Sequence, residues 1–270
     1  MNFVTDILMH YARKADDEVA LLLSSGVDSS SVLFSLLEAG KKVTAYSFCL
    51  DDRDSKDVVY AEITAKEFGV PFVRVDLPTA IEFLYTDLIT LITMGATKKT
   101  DIECGWPMLY TYPVIKERQI YSGIGADGHF CISKKGMIHY KEQIDWFRNQ
   151  LFSSSTYGQA HMHKNFCKVH DKEWVAPYMS EKMINKFMGK SWDEVNKPKQ
   201  KQPILDSFPK QFKRIKIFPH TNYQLGDSGI AKHFEKLVDT ELNFNNHKSV
   251  VGIYNNLVKT IGGSYGTMDI

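Results

Sequence analysis

Two short stretches of this chain carry residue types suited to phosphate chemistry. The first is Leu23-Ser24-Ser25-Gly26-Val27-Asp28-Ser29-Ser30, and the second is Ser122-Gly123-Ile124-Gly125-Ala126-Asp127-Gly128. The first puts four hydroxyls and a glycine where an apolar run gives way to a helical pattern. The opening N–H groups of a helix lack internal acceptors, and the helix dipole is positive there, so the place suits an anion. Asp28 would repel a phosphate in that loop unless a cation lies between them, and magnesium fits that need. An ordinary capped helix start is the competing reading, since Ser and Asp are good caps, but a cap requires only one such oxygen. The common ATP loop, G-x-x-x-x-G-K-[ST], is not present, and the stretch contains no lysine. In the second stretch Gly123, Gly125 and Gly128 match G-x-G-x-x-G. A dinucleotide fingerprint belongs on the first strand of its sheet, and this one comes late.

The surrounding pattern says what must hold these loops. Phe3, Val4, Ile7, Leu8 and Tyr11 recur at helical spacing over residues 1–18. Val19–Leu23 is a continuous apolar run of the kind that forms a strand buried on both faces. A helix over Ser29–Ala39 follows, then a strand over Lys42–Leu50, a helix over Ser55–Phe68 and a strand over Pro71–Leu77. Helices over Ile81–Met94 and Tyr110–Arg118 lead to a short strand, Ile120–Ser122. Strands alternating with helices predict an α/β fold, a parallel sheet with helices on both faces. After about residue 140 the strands stop, and helices are expected over Gln143–Leu151, His161–Val169, Ser180–Met188 and Ile230–Leu237. The expected organisation is an ATP-binding α/β domain over 1–140 and a helical region over 141–270 that completes the site.

Composition narrows the class. The 270 residues are 43% apolar and 24% charged, with a net charge of +1, which is the balance of a globular protein. That charge gives no global attraction to nucleic acid or to a membrane. No apolar run reaches the ~18 residues of a spanning helix, and the N-terminus lacks the form of a secretion signal. Cys49, Cys104, Cys131 and Cys167 form no C-x-x-C pair. Free thiols and a cytoplasmic location are expected.

The serine-rich loop with an internal Asp resembles the PP-loop of ATP pyrophosphatases, in the HUP-like class of folds. Taken together, the two loops resemble the synthetase domain of asparagine synthetase, whose patterns are close to S-G-G-x-D-S-S and S-G-E-G-A-D-E. The resemblance continues through Asp57-Val-Val-Tyr-Ala-Glu62 and Phe68-Gly-Val-Pro71. It is looser in Glu173-Trp-Val-Ala-Pro-Tyr-Met-Ser180, similar to G-L-E-x-R-x-P-F-L-D. It is loose again in Arg214-Ile-Lys216 with Gly226-Asp-Ser-Gly229, similar to R-x-K and the acid–glycine loop after it. In all it covers most of residues 15–240.

The resemblance implies an ATP-dependent amide ligase. A substrate carboxylate attacks the α-phosphate of ATP and pyrophosphate leaves; ammonia or an amine then takes the acyl group and AMP leaves. ATP and Mg2+ are the implied cofactors, with Asp28 and Asp127 as metal ligands. Leu23, Ser24, Ser25, Gly26, Asp28, Ser29, Ser30, Ser122, Gly123 and Lys216 would bind ATP and pyrophosphate. Lys216 and Glu173 would be catalytic, the first on the pyrophosphate and the second on the amine proton. The implied partners are a small-molecule carboxylate and an amine or ammonia. The chain begins Met1-Asn2 rather than with a catalytic Cys and a glutaminase domain, so a separate protein is the expected alternative source of ammonia. Ile124 and Gly128 stand where the family has acids, Ser25 where it has Gly, and Ser180 where it has Asp. The change at 124 removes the obvious general base and puts aspartate as the substrate in doubt. An RNA-modifying PP-loop enzyme and a non-catalytic nucleotide-binding relative are the other readings.

Two weaker features remain. His161, His163, Cys167 and His170 have metal-compatible spacing, with 163, 167 and 170 on one helix face, and suit zinc, or could form a polar helix near the site. Lys197, Lys199, Lys201, Lys210, Lys213, Arg214 and Lys216, with Phe208, Phe212 and Phe218 between them, could meet nucleic acid. A solvated surface with one or two phosphate ligands is the favoured reading of that stretch.

Overall fold

The computed structural model describes residues 2–24, 26–217, 228–239 and 249–265. Five strands form one sheet: β1 (Glu18–Leu22), β2 (Lys42–Leu50), β3 (Phe72–Leu77), β4 (Gln119–Ser122) and β5 (Glu173–Val175). Their order is β3-β2-β1-β4-β5, and every pairing is parallel. Helices α1 (Phe3–Lys14), α2 (Val27–Glu38), α3 (Lys56–Glu67), α4 (Glu82–Thr93) and α5 (Lys99–Thr111) fill the connections up to β4.

Alternation along the strands sorts the core into two layers. Val19 and Leu21 of β1 face α1, α2 and α3, with Val4, Leu8, Leu33, Leu36 and Ala61 in the same cluster. Ala20 faces the other way, into a cluster with Leu84, Leu88, Ile102, Trp106 and Phe166. Side chains of a strand point alternately to opposite faces, so a strand covered on both sides is apolar throughout. Each cluster also takes residues from beyond 140, Phe187 and Phe208 in the first and Phe234 and Tyr254 in the second.

Two expectations change. Strands do not stop near residue 140: β5 pairs with β4 in the register Gln119↔Glu173 to Tyr121↔Val175. Three residues are too few for a periodic signal. The helix expected at Tyr110–Arg118 lies earlier, as α5, and ends in a 3-10 turn at Tyr112–Val114. Gly105 and Pro107 disguise it in sequence. Packing outweighs their low propensity: Trp106 is fully buried, and its Nε1–H and the Tyr110 hydroxyl both donate to Asp87 on α4, at 2.7 and 2.6 Å. Among the described residues no helix is long and apolar enough to cross a membrane.

Candidate active site

The strand order decides where the two serine- and glycine-containing loops meet. From β1 the chain steps outward to β2 and β3, then returns to place β4 on the opposite side of β1. Such a reversal opens a crevice outside the carboxyl ends of the two central strands. Leu22 and Ser122 are register partners, so the loops after β1 and β4 leave that edge side by side. They are in close contact. A Cβ on Gly123 would lie 2.5 Å from the Ser29 nitrogen and 2.7 Å from the Asp28 carbonyl carbon. Only glycine lets β4 run this close to the start of α2.

The α2 terminus is not closed by its own serines. Its N-cap is Gly26, and no side chain caps it. The Ser29 and Ser30 hydroxyls instead turn back to carbonyls, Ser30 Oγ donating to Gly26 O at 2.8 Å. The Ser24 N–H donates to Ser29 Oγ at 3.1 Å. This differs from an ordinary cap and leaves the first helical N–H groups directed at the crevice.

Asp28 stands in the first turn of α2, and Asp127 in a 3-10 turn (Ala126–His129) after β4. Both reach one ammonium. Lys201 Nζ lies 2.6 Å from Asp28 Oδ2 and 2.5 Å from Asp127 Oδ1, and the Lys201 side chain is 6% exposed. Burial works against its charge, but the two carboxylates outweigh burial and hold Lys201 above the usual lysine value. Asn196 sets the lysine there. Its Nδ2 donates to Phe130 O at 2.9 Å, and its Oδ1 accepts from the Lys201 N–H at 3.3 Å. Lys201 itself has a left-handed backbone, φ 60°.

Two carboxylate oxygens on one nitrogen lie within bridging distance of a single cation. Among the described residues no three His, Cys, Asp or Glu side chains converge as a metal cage. Magnesium is bound through one or two carboxylates plus substrate phosphates and waters rather than by a full protein cage. The Asp28–Asp127 pair therefore fits magnesium arriving with a polyphosphate.

The other residues singled out from the sequence divide into three groups. Leu23, Ser24, Gly26, Ser29, Ser30, Ser122 and Gly123 line the crevice or hold it. Leu23 is buried and donates its N–H to Tyr46 O at 2.9 Å. Ser122 is also buried, and its Oγ accepts from Trp174 Nε1 at 3.0 Å. Ser25, Gly226 and Asp227 lie outside the described residues. Glu173 is set back from the loops, and Lys216 is placed by a contact with α3. Glu173 opens β5 opposite Gln119, three residues down the ladder from Ser122, which is roughly 10 Å at 3.3 Å per residue. It is exposed there, pairing with Arg118 and accepting from Gln119 Nε2, each at 3.0 Å. Lys216 lies against α3, with Nζ 3.3 Å from the Tyr60 hydroxyl.

Sequence reasoning passed over Lys201 as a site residue. It stands third in an alternating run, Lys197-Pro-Lys-Gln-Lys201, and nothing local separates it from its neighbours. Its burial does. In the rest of that basic stretch Lys197 pairs with Asp193 at 2.6 Å and Arg214 with Glu67 at 2.9 Å.

The family's missing acids have a steric account. A Cβ at Gly128 would sit 2.5 Å from the Tyr157 oxygen and 2.9 Å from Phe152 Cζ. Tyr157 holds the space an acid there would need. Ile124 packs against the turn at Gly158, whose own Cβ would meet Ile124 Cγ2 at 2.7 Å.

On the histidine-rich helix Ala160–His170, His163, Cys167 and His170 lie together against Tyr112, but among the described residues they form no metal-holding group. His161 Nε2 lies 3.1 Å from Gly95 O. His163 stacks on Trp174 and meets the Tyr112 hydroxyl at 2.8 Å through Nδ1. Burial lowers His163 to about 3, so it is neutral. A surface groove of about 820 Å³ beside α1, lined by Asp6, His10, Arg13 and Asp206, lies away from the two loops. Its residues are those of an open charged surface, so the chemistry is assigned to the crevice.

Compared with known proteins, the sequence profile described as asparagine synthase matches residues 9–239. A 7-cyano-7-deazaguanine synthase of Archaeoglobus fulgidus is 34% identical over 73 residues, 27% of this chain and 30% of that protein. The corresponding protein of Alteromonas mediterranea is 41% identical over 61 residues, 23% of this chain and 28% of its own. The microcin J25-processing protein McjC of Escherichia coli is 36% identical over 59 residues, 22% of this chain and 12% of its own. The chain thus spans less than a third of the length of these curated relatives. A solved structure, a predicted subunit of tRNA methyltransferase from Methanocaldococcus jannaschii, matches with a TM-score of 0.36 and 12% identity. That match covers 76% of this chain and 93% of that one.

Proposed function

This chain belongs to the asparagine synthase family, and on that premise we propose that it is an ATP-dependent ligase that adenylates a carboxylate and passes the acyl group to an amine. The observation that carries the proposal is the meeting of Asp28 and Asp127, from two separate loops, on the buried ammonium of Lys201.

A carboxylate oxygen of the substrate bonds to the α-phosphorus while the bond to the β-phosphate oxygen breaks. Pyrophosphate departs with the electron pair. The uncapped start of α2 and the Ser24 and Ser29 hydroxyls receive phosphate oxygens. Asp28 and Asp127 would hold the magnesium ion of magnesium–ATP, which offsets the charge growing on the pyrophosphate. Lys201 supplies a second positive charge at that place, kept protonated by the same carboxylates. In the second half-reaction the amine nitrogen bonds to the acyl carbon, AMP leaves and the nitrogen loses one proton. Neither Ile124 nor Gly128 can take that proton.

The test is magnesium-dependent exchange of labelled pyrophosphate into ATP. The names of the relatives span a deazaguanine synthase and a peptide-processing protein, so the panel should hold small acids, aspartate included, and peptide carboxylates. Exchange with one acid, lost in Asp28→Asn and Lys201→Met, is the expected result. Nucleotide binding with no exchange on any acid refutes the ligase reading.

A further inference from the structure

Asp28 and Asp127 are 99 positions apart in the chain, and their spacing must be set by something other than the group they bind. One buried residue touches both of their supports. Tyr178 is fully buried in a 3-10 turn, Pro177–Met179. Its hydroxyl lies 2.6 Å from Ser31 Oγ. Ser31 Oγ in turn donates to the carbonyl of Asp28 at 2.7 Å. A serine hydroxyl has a single proton, and here it is spent on that carbonyl. The phenol is therefore the donor and Ser31 the acceptor.

The other end of Tyr178 reaches the second loop. Its carbonyl lies 2.8 Å from His129 Nε2, two residues after Asp127. A carbonyl can only accept, so His129 carries its proton on Nε2. His129 is locked in turn: it stacks between Phe152 and Phe187, with centroids at 4.5 and 4.3 Å. The Arg148 guanidinium donates twice to its carbonyl, at 3.0 and 2.8 Å. One side chain and its own carbonyl thus join the turn that carries Asp28 to the turn that carries Asp127.

In the segment Pro177-Tyr-Met-Ser180 the phenol stands where the similar family motif P-F-L-D has phenylalanine. We propose that the Tyr178 hydroxyl, through Ser31, is a positioning group that sets the separation of the Asp28 and Asp127 carboxylates and so the affinity of the pair for magnesium brought with ATP. This rests on the ligase reading, in which those two carboxylates hold the metal.

The test uses Tyr178→Phe, which keeps the ring and the carbonyl contact, and Ser31→Ala, which removes that hydrogen bond together with the one to the Asp28 carbonyl. Binding of α,β-methylene-ATP is titrated by calorimetry against magnesium concentration, and melting is followed without metal. Groups that orient metal ligands typically change affinity by 10–100-fold. Each variant should raise the magnesium midpoint about tenfold, and the double variant should raise it no further than Ser31→Ala alone, because that change already removes both bonds of the path. A structural role alone would lower melting and leave the midpoint in place, and that result overturns the inference. So do additive shifts. If the unaltered chain binds the analogue without regard to magnesium, the ligase reading fails and this inference with it. If it binds with magnesium dependence and the variants match it, only this inference fails.

Discussion

Replacing Lys201 with methionine keeps the length of the side chain and removes its charge. The surroundings of that ammonium set the size of the effect. It is 6% exposed and lies within 2.6 Å of two carboxylates that would otherwise face one another. Removing one partner of a buried pair costs roughly 3–5 kcal/mol, because the remaining charge is left uncompensated. The Asp28 side chain is 19% exposed and that of Asp127 43%, so water reaches both, and a loss of about 3 kcal/mol, at the lower end of that range, is expected. With a slope near 3 kcal/mol per M, the urea midpoint falls by about 1 M. Asp28→Asn added to Lys201→Met removes one of the two like charges and should recover most of the loss. Magnesium provides a second check. In the unaltered protein it shares the two carboxylates with an ammonium; in the variant it has them to itself. Millimolar magnesium should therefore raise the midpoint of Lys201→Met more than that of the parent. A variant that unfolds within about 0.2 M of the parent, with an equal magnesium response, would show that the three groups are not coupled and would refute the reasoning.

Three further outcomes are expected. Gly123→Ala forces a methyl to 2.5–2.9 Å from backbone and Cβ atoms of Asp28 and Ser29, so the two loops must part; a stability loss of about 1–3 kcal/mol should come with nucleotide affinity at least roughly tenfold weaker, and unchanged calorimetry would contradict the packing argument. Glu173→Gln lies at the far edge of the sheet in an exposed pair with Arg118, so pyrophosphate exchange should stay within about twofold and stability within about 0.5 kcal/mol; a collapse of exchange would return Glu173 to the chemistry. Burial lowers His129 and His163 to about 3 and His233 to about 4. Unfolded, each binds its proton near 6.5, so below that pH the unfolded chain holds more protons and stability falls with pH until about 4. Each histidine contributes a slope of about 1.4 kcal/mol per pH unit near pH 5. His129→Gln should remove that share from urea midpoints measured between pH 6 and 4.5, and an unaltered slope would mean that His129 is protonated in the fold.

Much of this architecture is written locally. The runs Val19–Leu23, Lys42–Leu50 and Pro71–Leu77 mark β1, β2 and β3 to within a residue or so: β1 is apolar because both its faces are covered, whereas in β3 exposed Arg74 and Asp76 alternate with buried Val75 and Leu77. Each of the two loops follows its strand directly, and their glycines and acids are visible as such. The type of chemistry was legible for that reason: a phosphate site at a helix start, with acids nearby, is a property of adjacent residues.

What the tertiary structure decided is which distant groups arrive there. Glu173 reads as an acid of the site, yet its register against Gln119 puts it at the opposite edge of the sheet. Lys216 matches a family lysine, and the fold lays it on Tyr60 of α3. Lys201 looks like any lysine of a basic run, yet it is the one buried between Asp28 and Asp127. The physical reason is the same in each case. Periodicity and turn chemistry are set by near neighbours in the chain, whereas register, burial and the partner of a charge depend on elements brought together from a hundred or more residues away. The sequence alone determined four of the five strands and the two loops with residue types suited to phosphate; the fold alone chose the ammonium, and turned Tyr178 and His129 inward beside the two carboxylates.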